Sequence, residues 1–151
     1  MPFTRDILYD TAKRAWVRFN YSGGAAASYG ITGAIFPSEL VGCLNLTGPT
    51  ATDLSVTKMY WSVAGISGQN LELSWGISGS VTGSPFQYLF STGMYDFAEE
   101  GLMLKNSVTS ANRNSSIQVR NVGTFASDNT VTLIMELAKG NGFSVTSITG
   151  P

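Results

Sequence analysis

Histidine is absent from the 151 residues of the chain. That excludes Ser-His-Asp and Cys-His nucleophile arrangements, zinc or haem sites built on His, and the commonest general acid-base side chain. Cysteine occurs once, at Cys43. A single cysteine forms no internal disulfide and no all-Cys metal cluster, and without a His to activate it the thiol reads as a small buried apolar residue. Charge is also scarce, with nine Lys and Arg against ten Asp and Glu and a net charge of −1. The basic residues are scattered apart from Lys13, Arg14 and Arg18, which is poor material for displacing counterions from a nucleic acid or for recruitment to an anionic membrane. No apolar run is long enough to span a bilayer. No basic stretch followed by an apolar one opens the sequence, so synthesis in a cytoplasm is expected. The expectation is therefore no cofactor, no metal, no nucleic-acid partner and no membrane partner.

What is abundant is small and hydroxylated. The 33 Ser and Thr plus 17 Gly make up a third of the residues, and 17 aromatics sit among 43% apolar positions. That is enough to bury a core, at a length typical of one domain.

Residues 1–13, MPFTRDILYDTAK, hold much of the charge, and Phe3, Ile7, Leu8 and Thr11 share one face at helical spacing. A helix this short is marginal alone, so this segment is expected to be an N-terminal arm that docks or stays flexible. From Arg14 the period becomes two. Ala15, Val17, Phe19 and Tyr21 alternate with Trp16, Arg18 and Asn20, a strand with one buried face. A second short strand is expected over 29–36, then a helical turn opened by Pro37. The longest strand is expected over 54–63, with a bulge near Lys58. Leu71, Leu73 and Trp75 against Glu72 and Ser74 form the cleanest amphipathic strand. Residues 76–84 read as a Gly and Ser loop. Phe86, Tyr88 and Phe90 alternate with Gln87 and Leu89. Short strands follow over 94–97 and 102–105, then a polar loop over 107–115, Ile117 with Val119, and a last major strand over 131–137. Residues 140–151 read as a tail or an edge strand through 143–148. Seven to nine short strands at this spacing predict an all-β chain: one antiparallel β-sandwich or jelly-roll-like domain over 14–139, preferred to a closed barrel. Exposed strand positions carry Ser or Thr more than charge, so the edges are weakly protected against further pairing.

Chemistry-bearing motifs are few. Asp96, Glu99 and Glu100 form one acidic cluster, but the Asp-rich calcium loop with its fixed Gly and terminal Glu is missing, and a solvated loop is the simpler reading. A carboxylate-dependent hydrolase at these residues needs two groups facing each other across a cleft. The glycines around Gly76 and Gly79 precede no Gly-Lys-Ser/Thr and no helix, so they are turns. No Gly-x-Ser-x-Gly elbow occurs. Sequons at Asn20, Asn45 and Asn114 are about what chance supplies in a chain so rich in Ser and Thr. Trp61 and Trp75 belong on apolar, core-forming faces. Trp16 lies opposite the Val17 and Phe19 face and is the candidate for an exposed aromatic contact, while Tyr88 and Tyr95 stay open. No catalytic residue is expected.

The strand pair Met59-Tyr60-Trp61-Ser62-Val63 and Leu71-Glu72-Leu73-Ser74-Trp75, the closing Val131-Thr132-Leu133-Ile134-Met135-Glu136-Leu137-Ala138-Lys139, and the Ser, Thr and Gly richness resemble the small β-sandwich virion proteins of tailed bacteriophages, especially those that decorate, or cement, the capsid shell. The likeness is one of strand pattern over residues 14–139. It implies a non-enzymatic role: binding and stabilising the major capsid protein lattice or other virion subunits, as a homo-oligomer with a trimer admissible. It also implies a place on the capsid surface after synthesis in the host cytoplasm. Phe3, Ile7, Leu8, Tyr9 and Trp16 are the expected interface residues, the arm ordering on assembly. The alternative is a carbohydrate- or receptor-binding module of a tail or fibre that uses Trp16 or Tyr88 as a stacking platform.

Overall fold

Alternation at period two sets each strand's faces, and pairing between distant strands then decides what those faces meet. In the last strand Val131, Leu133, Met135 and Leu137 are buried, while Thr130 and Thr132 are exposed and Ile134 and Glu136 half-buried. That strand runs through the centre of the larger sheet. The computed structural model describes residues 3–22, 30–44, 52–64, 70–79, 83–97, 99, 101–109, 112–122 and 130–144.

Ten strands and one short 3-10 turn occur among the described residues. They are β1 (Phe3–Asp10), β2 (Arg14–Ser22), β3 (Gly30–Ile35), β4 (Leu54–Ala64), β5 (Asn70–Ile77), β6 (Ser84–Leu89), β7 (Thr92–Asp96), β8 (Leu104–Lys105), β9 (Arg113–Val122) and β10 (Thr130–Lys139), with the turn at Pro37–Glu39. The large sheet has the order β1-β2-β10-β4-β7, with β8 added to β4, and the small sheet the order β3-β9-β5-β6. Every pairing is antiparallel.

The pairings nest. With β1 and β8 set aside, eight strands remain. The first pairs the last (β2 with β10), the second the seventh (β3 with β9), the third the sixth (β4 with β7), and the fourth the fifth (β5 with β6). A long hairpin rolled over itself in this way, with successive layers falling in alternate sheets, is a jelly roll. The antiparallel sandwich expected from the spacing is therefore the fold, in its jelly-roll form.

Between the sheets lie Ala15, Val17, Phe19 and Tyr21 of β2, Leu133 and Met135 of β10, Val56 and Met59 of β4, Leu71, Leu73 and Trp75 of β5, and Ile117 and Val119 of β9, each at most 1% exposed. Each large side chain so buried contributes about 1.5–3 kcal/mol. Trp75 stacks on Phe86 with ring centroids 4.3 Å apart. Trp61 packs against the same core and donates its indole N–H to the Phe90 carbonyl at 2.9 Å. Cys43 is buried and outside any disulfide.

Three expectations change. Residues 3–10 form no helix. They form β1, the edge strand paired with β2 from Phe3↔Tyr21 to Asp10↔Ala15. The helical spacing of Phe3, Ile7 and Leu8 arises because Leu8 is an extra residue at a bulge between Ile7 and Tyr9, which turns Tyr9 to the face that plain alternation would deny it. Stripping residues 1–13 would therefore uncover the β2 edge. The second change is on β6, where Phe86 is the extra residue. Beyond it Leu89 is buried, and Tyr88 and Phe90 are exposed. Third, β5 has no solvated face: Glu72 and Ser74 are 5% and 0% exposed, and the strand runs on through Gly76 to Ile77. A Cβ at Gly76 would lie 2.0 Å from Asn114 Oδ1 and 2.2 Å from Ser116 Oγ, so a larger residue there has to displace those side chains.

Other readings hold. The bulge of β4 falls at Thr57, next to Lys58: Lys58 pairs Glu136 and Val56 pairs Leu137, and the Thr57 hydroxyl donates to Glu136 Oε1 at 2.6 Å. Of the expected edge strand over 143–148, Phe143 makes an isolated antiparallel bridge to Cys43, and residues 145–148 lie outside the described residues. The Gly48-Pro49-Thr50 stretch and residues 65–69, which read as turns from their sequence, also lie outside the described residues.

Candidate contact surface

Cross-strand register places the outward side chains of the large sheet in rows. One row reads Thr4, Asn20, Thr132, Ser62, Thr92; the next reads Asp6, Arg18, Ile134, Tyr60, Met94; the third reads Tyr9, Trp16, Glu136, Lys58, Asp96. The first row is uncharged and hydroxylated, linked by Thr132 Oγ1 donating to Asn20 Oδ1 at 3.2 Å and by Thr92 Oγ1 donating to Ser62 Oγ at 3.4 Å.

The other two rows put their apolar members on a diagonal. Tyr9 and Trp16 lead into Tyr60 and Met94, joined where the Trp16 and Tyr60 rings stack at 6.3 Å and 16°. Tyr9 is 55%, Tyr60 36% and Met94 56% exposed. Ion pairs occupy the two corners off the diagonal: Arg18 Nη2 to Asp6 Oδ2 at 2.8 Å, and Lys58 Nζ to Asp96 Oδ2 at 3.9 Å. The result is an apolar band between charged corners, with a shallow groove at each end. Leu8, Tyr9, Thr11, Arg14, Trp16 and Glu136 line one of about 650 Å³; Tyr60, Trp61, Met94 and Ile134 are the apolar walls of the other, about 510 Å³.

Of the expected interface residues, Leu8, Tyr9 and Trp16 meet in the first groove. Ile7 does not join them. It pairs with Val17 on the core-facing side of β1 and is 37% exposed at that edge. Phe3 pairs with Tyr21 through its backbone. Sequence reasoning missed Tyr60, Ile134 and Met94. The signal was present in the parity: Ile134 and Tyr60 are large apolar residues at positions out of phase with the buried members of their own strands, Leu133 and Met135, and Met59.

The remaining candidates divide. Tyr95 packs against Trp61 with the rings tilted and 5.2 Å apart, and stacks on Phe97 at 5.3 Å, at the margin of the core. Tyr88 is exposed on the outer face of the small sheet, opposite Glu72. The acidic cluster forms no facing pair among the described residues: Asp96 accepts the Glu99 backbone N–H through Oδ1 at 3.1 Å and faces Lys58 through Oδ2, while Glu100 lies outside the described residues. Among those residues no group of three or more Cys, Asp or Glu is placed to hold a metal ion, and no helix is long and apolar enough to cross a membrane.

No family model matches the sequence, and no curated protein matches it. Ten chains of solved structures do. One, in the cryoEM structure of Mud Crab Dicistrovirus, aligns with a TM-score of 0.39 at 14% identity, covering 94% of this chain and 72% of that one. That this chain is a jelly roll follows from its own nested pairing and stands apart from that likeness.

Proposed function

We propose that this chain is a non-enzymatic structural subunit of a virus particle, of the capsid decoration type, which binds the major capsid protein lattice and stabilises it as a homo-oligomer. The observation that carries the reading is the band of Tyr9, Trp16, Tyr60 and Met94 across the outer face of the large sheet. A contiguous exposed apolar patch rimmed by polar and charged groups is characteristic of a protein-protein contact. Jelly rolls also serve lectins and cupins, so the fold alone does not choose; the band favours a flat macromolecular partner over a small ligand held in a deep pocket. Occupancy of the band by neighbouring subunits also accounts for aromatics and Met where a monomer would carry charge.

The test is co-sedimentation with particles of the virus that carries this gene, alongside light scattering of the free protein. The expected results are a multiple of the 16.1 kDa chain mass in solution and retention on particles. The double variant Tyr60→Asp, Met94→Asp should stay folded by circular dichroism and be lost from the pellet. A wild-type protein that never pellets with particles overturns the reading.

A second reading has its own observation. The near-parallel Trp16 and Tyr60 rings form a flat aromatic shelf beside a groove, which suits stacking on a sugar ring. A glycan array probed with wild type and Trp16→Ala separates the two: sugar binding that depends on Trp16, without particle binding, favours the receptor-binding module.

A further inference from the structure

At one end of the sandwich the starts of β2, β4 and β9 meet strand β8 and the end of β10 around a cleft of about 470 Å³. Four of the nine cationic residues line it, Arg14, Lys105, Arg113 and Lys139, with Asp53 the one carboxylate in its described lining. They come from positions up to 125 residues apart, so folding collects a charge cluster that the linear order disperses.

The four cations are not equally engaged. Lys139 is spent on structure: its side chain is fully buried, and its Nζ donates to Asp10 Oδ1, to the Thr11 carbonyl and to the Val41 carbonyl. Arg113 forms an ion pair with Asp53 through Nη1, and its Nε donor has no partner and no access to water. The Asn106 side-chain amide, on the same lining, is in the same state. Arg14 is loosely held, 3.9 Å from Glu136 and 3.4 Å from the Lys13 carbonyl. Lys105 is exposed and has no ion pair among the described residues. Met103, 45% exposed, supplies an apolar wall beside these charges.

The geometry points to this cleft as a binding site for an acidic peptide segment, its carboxylates meeting Arg14, Lys105 and Arg113 and an apolar side chain lying on Met103. Surplus positive charge in a chain of net charge −1 makes the attraction local to this end of the molecule. Unmet buried donors are destabilising, and a ligand bringing acceptor oxygens lets Arg113 and Asn106 turn toward partners. Asp53 on Arg113 already displays the pairing from within the chain. The cleft far exceeds the size of one small oxyanion, and its mixture of cations and thioether suits a segment of chain. The site stands on its own chemistry, whatever the chain's place in a particle.

Isothermal titration calorimetry at low salt tests it with the blocked hexapeptide Glu-Leu-Glu-Glu-Leu-Glu, its Gln-Leu-Gln-Gln-Leu-Gln counterpart, and inorganic phosphate. The Glu peptide is expected to bind, weakening as salt rises, and the Gln peptide not. Lys105 sits exposed on a two-residue strand, so Lys105→Glu should fold normally and lower affinity about tenfold. Arg14→Gln should lower it less, and Arg5→Gln, away from the cleft, should leave it unchanged. Equal binding of both peptides, or affinity indifferent to Lys105→Glu, overturns the proposal. Binding of inorganic phosphate without binding of the Glu peptide overturns it as well.

Discussion

The outer faces of the two sheets are inverted relative to each other. On the small sheet the outward residues Glu72, Ser74, Gln118 and Arg120 are polar or charged, yet each is at most 5% exposed. On the large sheet Tyr9, Tyr60 and Met94 point outward and are each at least 36% exposed. Buried polar groups and exposed large apolar groups are the two departures from ordinary partitioning that carry information. Here the buried polar groups gather on the small sheet and the exposed apolar band on the large one, with Tyr88 an exposed aromatic on the small sheet's outer face.

The difference separates internal specification from external contact. On the small sheet Arg120 Nη1 lies 3.7 Å from Glu72 Oε1, and the Ser74 hydroxyl donates to the same oxygen at 3.0 Å. Such a network adds little net stability, because desolvating both ions offsets their attraction, but it punishes any register in which the partners miss each other. On the large sheet the corner charges are held in exposed or half-buried pairs of small energetic value, and apart from Glu136 the middle of these two rows is left largely to side chains that gain from being covered.

Breaking the small-sheet network has the largest expected effect. Glu72→Ala leaves Arg120 buried beside a lost carboxylate and should cost about 3–5 kcal/mol, read by chemical denaturation. A loss below about 1 kcal/mol, the range of exposed pairs, would erase the contrast between the faces. An intermediate effect belongs to the ground beneath the band. A Cβ on Gly93 would lie 2.3 Å from Trp61 Cζ2, so Gly93→Ala should cost about 1–3 kcal/mol and alter the near-ultraviolet signal of the displaced indole. The smallest effect on stability belongs to the band. Tyr9→Ser should change unfolding free energy by no more than about 0.5 kcal/mol while weakening retention on particles, and a large loss of stability with unchanged retention would make Tyr9 a structural residue instead.

The strands that build the core were legible because their alternation is strict. Val131, Leu133, Met135 and Leu137, or Leu71, Leu73 and Trp75, announce one face without help from elsewhere. The errors fall where one extra residue breaks the count. Leu8 in β1 mimicked helical spacing and hid a strand, and Phe86 in β6 reversed the faces of Leu89 and Phe90. Half of the contact surface was visible in the same way. Trp16 stood out as an aromatic opposite a buried face, whereas Tyr60 and Ile134 were masked by the apolar neighbours beside them in sequence. The polar face of β5 and β9 looked solvated, because Glu72, Ser74, Gln118 and Arg120 are the residues that water ordinarily takes.

Local order therefore accounts for the all-β character, the position of most strands and the division of each into two faces, since side-chain direction along an extended chain depends only on parity. The absence of histidine is likewise a property of the sequence alone, and it excludes the sites built on that side chain. What lies against each face is a different matter. The nesting of eight strands into a jelly roll, the burial of a charged face on one sheet, the exposure of an apolar one on the other, and the meeting of Arg14, Lys105, Arg113 and Lys139 at one cleft all join residues far apart in the chain. Parity names the face; long-range strand pairing decides its neighbours.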